Sequence, residues 1–482
     1  MEKHPIIVGG ERVIKKDAID VRFPFNGDIV HQVVKGDRED VDNALFYADK
    51  SFKNTRTLSI KQRQDILRNL AVIVSDKSED FAKTICIESG KTINEARGEV
   101  SRSLETIRLS ILATEKVNGE VLPLSASPNG QGKWGFYERF PLGPAAFITP
   151  FNFPLNLVMH KVAPAIAVGC PFILKPASQT PLTSLMLGDA ILEAGYPRRA
   201  VSVIAGSGSQ IGILLVSAPE IKTVSFTGSP EVGEIIAKNA GMKPIALELG
   251  SNSAAIIDNG LEKSEMMRAA SRITLGAFAL AGQVCISTQR VYILQESFDT
   301  FLKYLKAFTN EIITGDPGEE STNMGSMISE EEAEKAYDII HNSGGQIEQG
   351  GKFIEYENAW KSTIEPTIVI NPPEDSSLID SEAFAPVVSL KPVKTLEEAI
   401  HKVENTDYGL QTGIFTSDIH SAREAFDKIT TGGVIVNDIP TFRADLMPYG
   451  GQKKSGMLRE GPEFAIEHLT YPKSFVVHRR EL

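Results

Sequence analysis

Two side chains in this chain of 482 residues are suited to covalent catalysis, those of Cys285 and Glu248. A cysteine thiolate is a strong nucleophile, although a free cysteine more often packs as a small hydrophobic residue. Cys285 lies in a turn of small residues that ends an apolar helical stretch. Glu248 lies between Leu247 and Leu249 in an apolar strand pattern. Because burying an unpaired carboxylate is costly, this position predicts either a raised pKa suited to general-base catalysis or a buried salt bridge.

Two other segments have features of phosphate-binding sites. Residues 206–212, with the sequence GSGSQIG, are one residue too long for the dinucleotide fingerprint GxGxxG, and no acidic residue closes the next strand. A glycine-rich turn is therefore the simpler interpretation of this segment. Residues 226–229, with the sequence FTGS, follow a strand and precede a helical segment near Pro230. The N–H groups at a helix N-terminus bind anions, so these residues would suit a pyrophosphate, but they would equally suit an ordinary helix cap.

Strand and helix patterns alternate through most of the chain and predict how these residues are positioned. Residues 39–110 have helical periodicity, and from Ala145 onwards short apolar runs alternate with helical segments such as residues 183–194. The predicted strands comprise residues 145–148, 172–174, 201–204, 223–226, 289–294, 387–390 and 434–437. This alternation is typical of βαβ units with buried parallel sheets, so we expect two α/β domains that meet near residues 249–258.

The composition argues against several classes of protein. The net charge of −12 and the pI near 5.3 disfavour a nucleic acid or an anionic membrane as partner. The three cysteines form no CxxC pair and have no histidine at metal-ligand spacing, so we expect no metal site, and their small number fits a reducing compartment. The N-terminus does not resemble a signal peptide, and the most apolar stretch, residues 161–175, is too short to span a membrane. We therefore expect a cytoplasmic protein.

Eight short segments of the chain resemble motifs of the aldehyde dehydrogenase superfamily, and they follow one another in the order that the family has. They are Glu88-Ser89-Gly90-Lys91, Thr149-Pro150-Phe151-Asn152-Phe153-Pro154, Lys175-Pro176-Ala177, Phe226-Thr227-Gly228-Ser229, Leu247-Glu248-Leu249-Gly250, Gly282-Gln283-Val284-Cys285, Glu382-Ala383-Phe384-Ala385-Pro386 and Pro448-Tyr449-Gly450-Gly451. The resemblance covers nearly the whole chain, and the pattern is most similar to that of lactaldehyde and non-phosphorylating glyceraldehyde-3-phosphate dehydrogenases. It implies NAD(P)-dependent oxidation of a small aldehyde to its acid.

The resemblance implies a role for each of three catalytic residues. Cys285 would be the nucleophile, whose attack on the aldehyde gives a thiohemiacetal and then a thioester. The side-chain amide of Asn152 and the backbone N–H of Cys285 would hold the oxyanion, and one such donor typically lowers the barrier by about 3 kcal/mol. Without the resemblance, Asn152 would be interpreted as a turn residue before Pro154. Glu248 would activate the water that hydrolyses the thioester.

The resemblance also implies the residues that bind the cofactor. Lys175 is expected at the adenosine ribose and Glu382 at the ribose next to nicotinamide, with Phe384 near the nicotinamide ring. Gly228 and Ser229 are expected at the pyrophosphate. The other expected cofactor contacts are Thr149, Pro150, Ser178, Gly208, Thr227, Val232 and Leu249.

Three departures from the family pattern bear on these roles. Many members that prefer NAD have Glu where this chain has Ser178. Because a glutamate would repel a 2′-phosphate, we expect NADP to be accepted beside NAD, or even preferred. Residues 250–252 are Gly-Ser-Asn where Gly-Gly-Lys is common. Ala383 and Ala385 flank Phe384, a variation also found in members that act on lactaldehyde and glyceraldehyde 3-phosphate.

Two arginines indicate the substrate class. The resemblance places Arg102 and Arg443 at the mouth of the aldehyde tunnel, where non-phosphorylating glyceraldehyde-3-phosphate dehydrogenases also have arginines. The arginine fork suits phosphate or carboxylate. A third arginine expected just before the nucleophile is Val284 in this chain. We therefore expect a small hydroxy- or anion-bearing aldehyde, such as lactaldehyde, glyceraldehyde 3-phosphate or succinic semialdehyde; the alternative is that both arginines make surface ion pairs.

The fold implied by the resemblance is α/β, the aldehyde dehydrogenase fold with three parts. These are a Rossmann-like NAD(P)-binding domain of residues 1–118 and 141–253, an α/β catalytic domain of residues 254–465, and a small β oligomerisation arm of residues 119–140 and 466–482. Residues 118–140 break the βα alternation and predict a projecting hairpin that pairs with a partner subunit, since strand edges need partners. The resemblance implies a homodimer or a homotetramer.

Two other functions stay open at this point. A CoA-acylating aldehyde dehydrogenase would pass the acyl group to CoA instead of water, but acylating members generally lack the base that Glu248 provides. A catalytically silent structural or ligand-binding member is disfavoured because Cys285, Glu248 and Asn152 are all present. No basic stripe with interleaved aromatic residues supports nucleic-acid binding, so the expected partner is a small-molecule aldehyde.

Overall fold

The structure is a computed structural model that describes residues 3–478. Residues 1 and 2 of the predicted NAD(P)-binding domain and residues 479–482 of the predicted arm lie outside the described residues. The strands of residues 3–478 are β1 (Lys3–His4), β2 (Ile6–Val8), β3 (Glu11–Val13), β4 (Ala18–Arg22), β5 (Ile29–Val34), β6 (Glu120–Leu122), β7 (Lys133–Pro141), β8 (Ala145–Ile148), β9 (Phe172–Lys175), β10 (Val201–Val203), β11 (Thr223–Thr227), β12 (Ile245–Glu248), β13 (Ala254–Ile257), β14 (Arg290–Leu294), β15 (Gln346–Gln349), β16 (Thr367–Ile370), β17 (Val387–Val393), β18 (Gln411–Phe415), β19 (Gly433–Val436), β20 (Gly456–Met457) and β21 (Thr470–His478). The α-helices of the same range are α1 (Arg38–Thr55), α2 (Ile60–Asp76), α3 (Ser78–Ser89), α4 (Ile93–Ala113), α5 (Asn156–Val168), α6 (Pro181–Glu193), α7 (Ile213–Ser217), α8 (Pro230–Asn239), α9 (Lys263–Phe278), α10 (Phe298–Asn310), α11 (Glu330–His341), α12 (Ser377–Asp380), α13 (Leu396–Glu404), α14 (Ile419–Lys428) and α15 (Pro462–Leu469).

The first large sheet has the strand order β20-β12-β11-β8-β9-β10-β2-β3. Its five central strands, β12 to β10 in that order, are parallel, and the strands at its edges pair antiparallel. The strands β8, β9, β10 and β11 are buried along their whole length, which explains why their sequences are mostly apolar and contain only short polar side chains apart from Lys175 at the end of β9. They coincide within one residue with the runs predicted from Ala145 onwards, so these predictions are confirmed.

The second large sheet has the order β15-β16-β17-β14-β13-β18-β19 and is parallel except for β15. It contains the strands predicted at residues 289–294, 387–390 and 434–437. The consecutive strands β12 and β13 lie in different sheets, so the chain passes from one sheet to the other within residues 249–253. The two predicted sheets are thereby confirmed, whereas the domain limits stay a prediction.

Two smaller sheets complete the fold. In the first, β7 pairs antiparallel with β6 and, over nine residues, with β21. The hairpin predicted at residues 118–140 is therefore confirmed, and its pairing with a strand at residues 470–478 lies within one chain. The second small sheet, of order β1-β5-β4, is formed by residues 3–34, for which the sequence analysis predicted no element.

The helices α1 to α4 occupy the region predicted to be helical, and two buried glutamates of α3 and α4 hold the helices that follow β8 and β9. Glu88 accepts hydrogen bonds from the N–H groups of Leu182 and Thr183 in the first turn of α6, at 2.9 and 3.1 Å. Glu99 accepts from the N–H groups of Leu155 and Asn156 at the start of α5, at 2.9 and 3.0 Å. These N–H groups have no partner within their own helix. Each glutamate therefore fixes the start of a helix that follows a strand of the first sheet.

The apolar stretch at residues 161–175 forms most of α5 and the whole of β9, as predicted. None of the helices within residues 3–478 combines the length and the apolar character that crossing a membrane requires.

We expect Glu99→Ala to destabilise the protein much more than a surface substitution on the same helix. Glu99 also pairs with Lys91, and both side chains are buried, so the change leaves an ammonium group buried without its carboxylate. Breaking a buried ion pair on one side typically costs about 3–5 kcal/mol. Thermal unfolding followed by circular dichroism measures the effect. Glu105→Ala is the matched control, because Glu105 pairs with Arg108 on the exposed side of α4. Equal melting temperatures for the two variants would contradict a structural role of the buried pair.

Candidate active site

Cys285 follows a left-handed turn at the end of α9. Leu280 and Ala281 have φ angles of 49° and 51°, and Gly282 continues the turn with 71°. Since left-handed backbone is unfavourable for residues with a Cβ atom, contacts with other segments must hold the turn. Glu95 Oε1 accepts the N–H of Leu280 at 2.8 Å. A Cβ atom on Gly282 would lie 1.9 Å from the carbonyl oxygen of Ala385, so only glycine fits at this position.

The thiol of Cys285 contacts a phenol. Cys285 is partly buried, and its Sγ lies 3.1 Å from the hydroxyl oxygen of Tyr449. Burial raises the pKa of the Cys285 thiol to about 12, and the carboxyl groups of Glu382 and Glu248 act in the same direction. The hydrogen bond with Tyr449 and the charge of Arg443 oppose this rise. Formation of the Cys285 thiolate therefore requires hydrogen-bond donors close to the sulfur.

Asn152 lies beside the segment that carries Cys285. Its amide Nδ2 donates to the carbonyl oxygen of Gln283 at 2.9 Å, and its Oδ1 is buried with no hydrogen-bond partner among the described residues. A primary amide has two N–H donors, so one of them stays available for an oxyanion. The loop of Asn152 connects β8 to α5, and α5 is fixed at its start by Glu99.

Glu248 is the last residue of β12 and is 5% exposed. Neither carboxylate oxygen has a hydrogen-bond partner among residues 3–478. Burial, and then the negative charge of Glu460, raises the pKa of Glu248 well above its usual value. Gly450 lies against this carboxylate, because a Cβ atom there would be 2.9 Å from Oε1. The sequence predicted either a raised pKa or a buried salt bridge for Glu248. Its surroundings raise the pKa of the carboxyl group, and it forms no salt bridge within residues 3–478.

A second buried carboxylate, Glu460, lies near Glu248 and is paired with two cations. Lys161 Nζ is 3.2 Å from Glu460 Oε1, and Arg443 Nη2 is 2.8 Å from Glu460 Oε2. Burial would raise the pKa of Glu460, but the charges of Lys161 and Arg443 outweigh burial and hold it at about 2. A cavity of about 10 Å³ touches Glu248, Glu460 and Lys161 and has room for about one water molecule. The pKa values of the two neighbouring carboxyl groups therefore shift in opposite directions, downward for Glu460 and upward for Glu248.

The two arginines predicted to bind substrate lie together and form ion pairs within the protein. Arg102 binds Asp445 through Nε and Nη2 at 3.2 and 2.7 Å. Arg443 Nη2 lies 3.1 Å from His160 Nε2, which in turn contacts Asp445 at 2.9 Å. The pairs of Arg443 are buried, so the alternative of a surface ion pair is wrong for this residue, whereas Arg102 keeps a third of its side chain exposed. The Nε atom of Arg443 is buried and has no hydrogen-bond partner in the described part of the chain.

The predicted cofactor residues of the first sheet follow the carboxyl ends of adjacent parallel strands, the edge at which open α/β sheets bind ligands. Lys175 ends β9, and burial lowers the pKa of its ammonium group to about 8. Ser178 Oγ donates to the carbonyl oxygen of Gly206 at 3.2 Å. The other members of this group are Thr149 and Pro150 after β8, Gly208 after β10, Thr227 to Ser229 at the end of β11, and Leu249 after β12.

The edge has features that fit a dinucleotide. The hydroxyl groups of Thr149 and Thr227 are buried and have no partner among residues 3–478, so a ligand can supply one. Ser229 is the N-cap of α8 and accepts the N–H of Val232 at 3.4 Å. Residues Gly208–Gly212 form a π-helical turn, which is a more regular element than the glycine-rich turn expected there.

Glu382 and Phe384 reach the same edge from the loop between α12 and β17. Glu382 Oε1 accepts the N–H of Ser251 at 3.0 Å, and burial raises the pKa of the Glu382 carboxyl to about 8. A Cβ atom on Gly250 would lie 2.3 Å from Glu382 Oε2. The ring of Phe384 meets that of Phe151 edge to face with the centroids 6.0 Å apart. Gly250 thus leaves the space that the Glu382 carboxylate occupies.

The departure at residues 250–252 has a structural role. The side chain of Asn252 donates to the carbonyl oxygen of Ile379 at 2.8 Å and to the hydroxyl of Thr406 at 3.0 Å. The backbone carbonyl oxygen of Asn252 accepts from Arg290 Nε at 2.7 Å, and its side-chain oxygen lies 3.2 Å from the hydroxyl of Thr406. Asn252 is buried, so these bonds satisfy an amide that water does not reach.

The sequence analysis missed several residues of this site. It recognised the motif that contains Tyr449 without assigning the phenol a role, and it assigned none to His160, Lys161, Asp445 or Glu460. A signal for Lys161 and His160 was present, because two polar side chains interrupt an otherwise apolar helix that is buried throughout. Asp445 and Glu460 lie in irregular segments whose sequence has no such signal.

Comparison with known proteins identifies the family. Residues 13–475 match the model of the aldehyde dehydrogenase family. A 3-sulfolactaldehyde dehydrogenase of Priestia aryabhattai is 37% identical over 481 residues, which are 99% of this chain and 98% of the relative. A lactaldehyde dehydrogenase of Methanococcus maripaludis is 38% identical over 477 residues, which are 98% of this chain and 100% of the relative.

Two solved structures have the same fold. Aldehyde dehydrogenase 21 from Physcomitrella patens, in complex with the reaction product succinate, matches with a TM-score of 0.94 and 34% identity, over 99% of this chain and 98% of that chain. Glyceraldehyde-3-phosphate dehydrogenase GapN from Methanocaldococcus jannaschii, complexed with NADP, matches with a TM-score of 0.91 and 34% identity, over 96% of this chain and 100% of that chain. The fold class and the family inferred from the sequence are confirmed. The chain belongs to the aldehyde dehydrogenase family, and it is a non-acylating oxidoreductase that uses NAD or NADP.

Proposed function

We propose that this enzyme oxidises a small aldehyde bearing a hydroxyl or an anionic group to the corresponding acid. The observation that carries the proposal is the placement of Arg443, whose Cζ lies 3.9 Å from the ring centroid of Tyr449, while Tyr449 contacts Cys285. Its Nε makes no hydrogen bond among the described residues and lies 3.7 Å from Asp445 Oδ1, so a small movement of the side chain would let it donate to an anionic group of the substrate. Arg102 is partly exposed and is connected to Arg443 through Asp445 and His160. It is the proposed second donor to the anionic group.

The comparisons support this substrate class. Relatives at 37 and 38% identity are named for 3-sulfolactaldehyde and lactaldehyde, and a related structure holds succinate. The three compounds are small, and two of them, 3-sulfolactaldehyde and succinate, carry an anionic group at the end remote from the carbon that is oxidised. We infer that lactaldehyde derivatives with a terminal anion are better substrates than uncharged aliphatic aldehydes.

The proposed first step is attack of the Cys285 thiolate on the aldehyde carbon. The resulting oxygen anion accepts the free N–H of the Asn152 amide and the backbone N–H of Cys285, and two such donors stabilise the charge as it develops. Asn152 suits this role because its amide donates without titrating. The left-handed turn before Cys285 fixes the backbone N–H in place through the contact of Glu95 with Leu280.

The proposed second step is hydrolysis of the thioester on Cys285. Glu248 accepts a proton from water when it is ionised, and the water attacks the acyl carbon. The thiol then leaves and the acid is released. The cavity between Glu248, Glu460 and Lys161 is large enough for about one water next to the carboxyl group.

Between these steps a bound nicotinamide would supply the hydride acceptor that the oxidation of the thiohemiacetal to the thioester requires. We propose that Lys175 and Glu382 hold the two riboses, that Gly228 and Ser229 hold the pyrophosphate, and that Phe384 packs near the nicotinamide ring. Ser178 places no negative charge beside the adenosine ribose, so the 2′-phosphate of NADP is accepted. The complex of a relative with NADP supports this proposal.

We also propose that the sheet of β6, β7 and β21 is an oligomerisation arm of a homodimer or homotetramer. β21 is an edge strand of nine residues, and Phe475, Val476 and Val477 on it are exposed. Long exposed apolar edge strands generally pair with another chain. The three cysteines are free, which supports a reducing compartment such as the cytoplasm.

The substrate proposal predicts the outcome of an aldehyde panel. NADH and NADPH formation would be followed with 3-sulfolactaldehyde, glyceraldehyde 3-phosphate, succinic semialdehyde, lactaldehyde and propanal, with and without CoA. We expect activity without CoA that is absent in Cys285→Ala and is highest with an anion-bearing aldehyde. Arg102→Gln should raise the KM for the anionic aldehydes about ten- to a hundredfold, as expected for the loss of hydrogen bonds to a charged group, and leave that for propanal almost unchanged.

Arg97→Gln is the matched control for Arg102. It lies on the same helix and pairs at the surface with Glu79 and Glu320. The anion site would be contradicted if neither Arg102→Gln nor Arg443→Gln changed the KM for any anionic aldehyde relative to the wild type.

Gly250→Ala should weaken cofactor binding while the protein stays folded. The new Cβ atom would lie 2.3 Å from the end of the flexible Glu382 side chain, so the carboxylate must move from its place. Since Glu382 is the proposed ribose ligand, we expect the Kd for NADP, measured by fluorescence titration, to rise about tenfold. Gly98→Ala is the control, because nothing lies within 4 Å of the position of its Cβ atom. An unchanged Kd in Gly250→Ala would count against the role of Glu382.

Thioester hydrolysis should become faster as pH rises. Burial raises the pKa of Glu248 well above its usual value, so the fraction of ionised base still increases at pH values where an ordinary glutamate is already fully ionised. We expect the rate of acid release from preformed acyl-enzyme to increase with pH in the wild type. In Glu248→Gln it should be slower by about 10²–10⁴-fold and lack that increase, while Cys285 still reacts with iodoacetamide. The idea is refuted by the same pH profile in both proteins.

A further inference from the structure

We propose that Tyr449 is a catalytic residue that donates its phenolic O–H to the thiolate of Cys285. We further propose that Arg443, whose guanidinium lies over the ring of Tyr449, is a positioning residue that strengthens this donor. The proposal rests on Cys285 being the nucleophile, as proposed above. It assigns a function to a hydroxyl group that neither the oxyanion contacts nor the general base explains.

The first observation is the contact itself. The hydroxyl oxygen of Tyr449 lies 3.1 Å from Cys285 Sγ, within the range for a hydrogen bond to sulfur. Tyr449 is 4% exposed, so water does not compete for its O–H. A phenol that lies in an apolar environment needs a partner for its hydroxyl, and the sulfur is the one that the structure provides.

The direction of the hydrogen bond follows from the protonation of the two groups. Burial, followed by the neighbouring Cys285, holds the pKa of Tyr449 well above its usual value, so the phenol keeps its proton. Cys285 loses its proton when it reacts, because the thiolate is the nucleophile. In the reactive state the phenol is therefore the donor and the sulfur the acceptor, and a hydrogen bond to an ionised acceptor is stronger than one between neutral groups.

Arg443 is held over the ring by the same segment that fixes Tyr449. Its guanidinium carbon lies 3.9 Å from the centroid of the Tyr449 ring. The backbones of Tyr449 and Glu460 form an antiparallel bridge, and the Glu460 carboxylate accepts from Arg443. A cation over an aromatic face is attracted to its π electrons and makes the phenolic O–H a better donor. Glu460 therefore determines where both the ring and the cation lie.

The adjacent residue connects this donor to the general base. Gly450 lies against Glu248, where a Cβ atom would be 2.9 Å from Oε1. Two consecutive residues, Tyr449 and Gly450, thus contact the proposed nucleophile and the proposed base. A displacement of this segment changes both contacts together, which makes its backbone bridge to Glu460 part of the catalytic geometry.

The test is the pH dependence of Cys285 alkylation by iodoacetamide in the full-length enzyme, followed by mass spectrometry of the Cys285 peptide. Cys86 and Cys170 are buried and serve as internal references. We expect Tyr449→Phe to slow alkylation of Cys285 about ten- to a hundredfold near neutral pH and to shift the midpoint of the profile upward by about one to two pH units, because the thiolate loses a donor while the ring and its packing remain. A rate that is unchanged or faster in Tyr449→Phe would overturn the proposal.

Tyr292→Phe is the matched control. It removes another buried phenolic hydroxyl, one that accepts from Arg290 and does not contact Cys285, so its profile should equal that of the wild type. If Tyr292→Phe shifts the profile as much as Tyr449→Phe, the effect is a general one of lost packing and the proposal fails. A failure of the proposed function would be seen in a different experiment. In that case Cys285→Ala would still oxidise aldehydes, whatever the alkylation profile of the other variants shows.

The part played by Arg443 is tested by a double-mutant cycle with Arg443→Gln and Tyr449→Phe. If Arg443 acts through the ring, Arg443→Gln shifts the alkylation midpoint in the presence of Tyr449 and shifts it much less in combination with Tyr449→Phe. Equal shifts in both backgrounds would overturn the positioning role, since the cation would then act on the thiol directly.

Discussion

Exclusion of water from the charged side chains around Glu248 is the constraint on which the rest of the active site depends. Lys161, Glu460 and Arg443 are each less than a tenth exposed. Buried charges persist when they are paired, and the carboxylate of Glu460 has a cation on either oxygen. Glu248 has no such partner among residues 3–478, and burial raises its pKa well above the usual value. Burial also raises the pKa of the Cys285 thiol, so the charged forms of both the proposed nucleophile and the proposed base are disfavoured.

A resting state of this kind determines what the surrounding residues must provide. Each reactive anion appears only during turnover, and a donor must already be in place when it does. The amide of Asn152 and the phenol of Tyr449 are neutral donors held by buried contacts, so they do not attract counter-ions in the resting enzyme. The buried pair of Lys91 and Glu99 lies at the start of α5, next to the loop of Asn152, and so helps to fix the position of one donor.

Much of this could be predicted from the sequence, and the reasons are local. Strands such as β8 and β9 are buried along their whole length, so apolar residues follow one another in them without alternation, up to Lys175 at the end of β9. The turn before Cys285 could be recognised from its small residues and its family motif. The ion pairs could not be predicted, because Arg102 and Asp445 are 343 positions apart and their contact exists only in the folded chain. The contact of Tyr449 with Cys285 spans 164 positions for the same reason.

Local propensity was misleading at two places. Leu280 and Ala281 are poor residues for left-handed backbone, yet they adopt it because Glu95 and the packing of Gly282 hold the turn. Such conflicts between local preference and the observed structure are common at functional sites. Arg443 has the sequence context of a surface residue, and only its burial beneath Tyr449 distinguishes it from one.

The crossing of the chain between the two large sheets has a mechanical consequence. The chain leaves the first sheet after β12, and a segment from beyond the second sheet returns as β20, which pairs with β12 at Leu247 and Glu248. Two sheets that are joined by one connection can move apart about it as a hinge, whereas a second connection that returns to the first sheet opposes this motion. A hinge motion that separates the two large sheets would therefore have to break the pairing of β20 with β12.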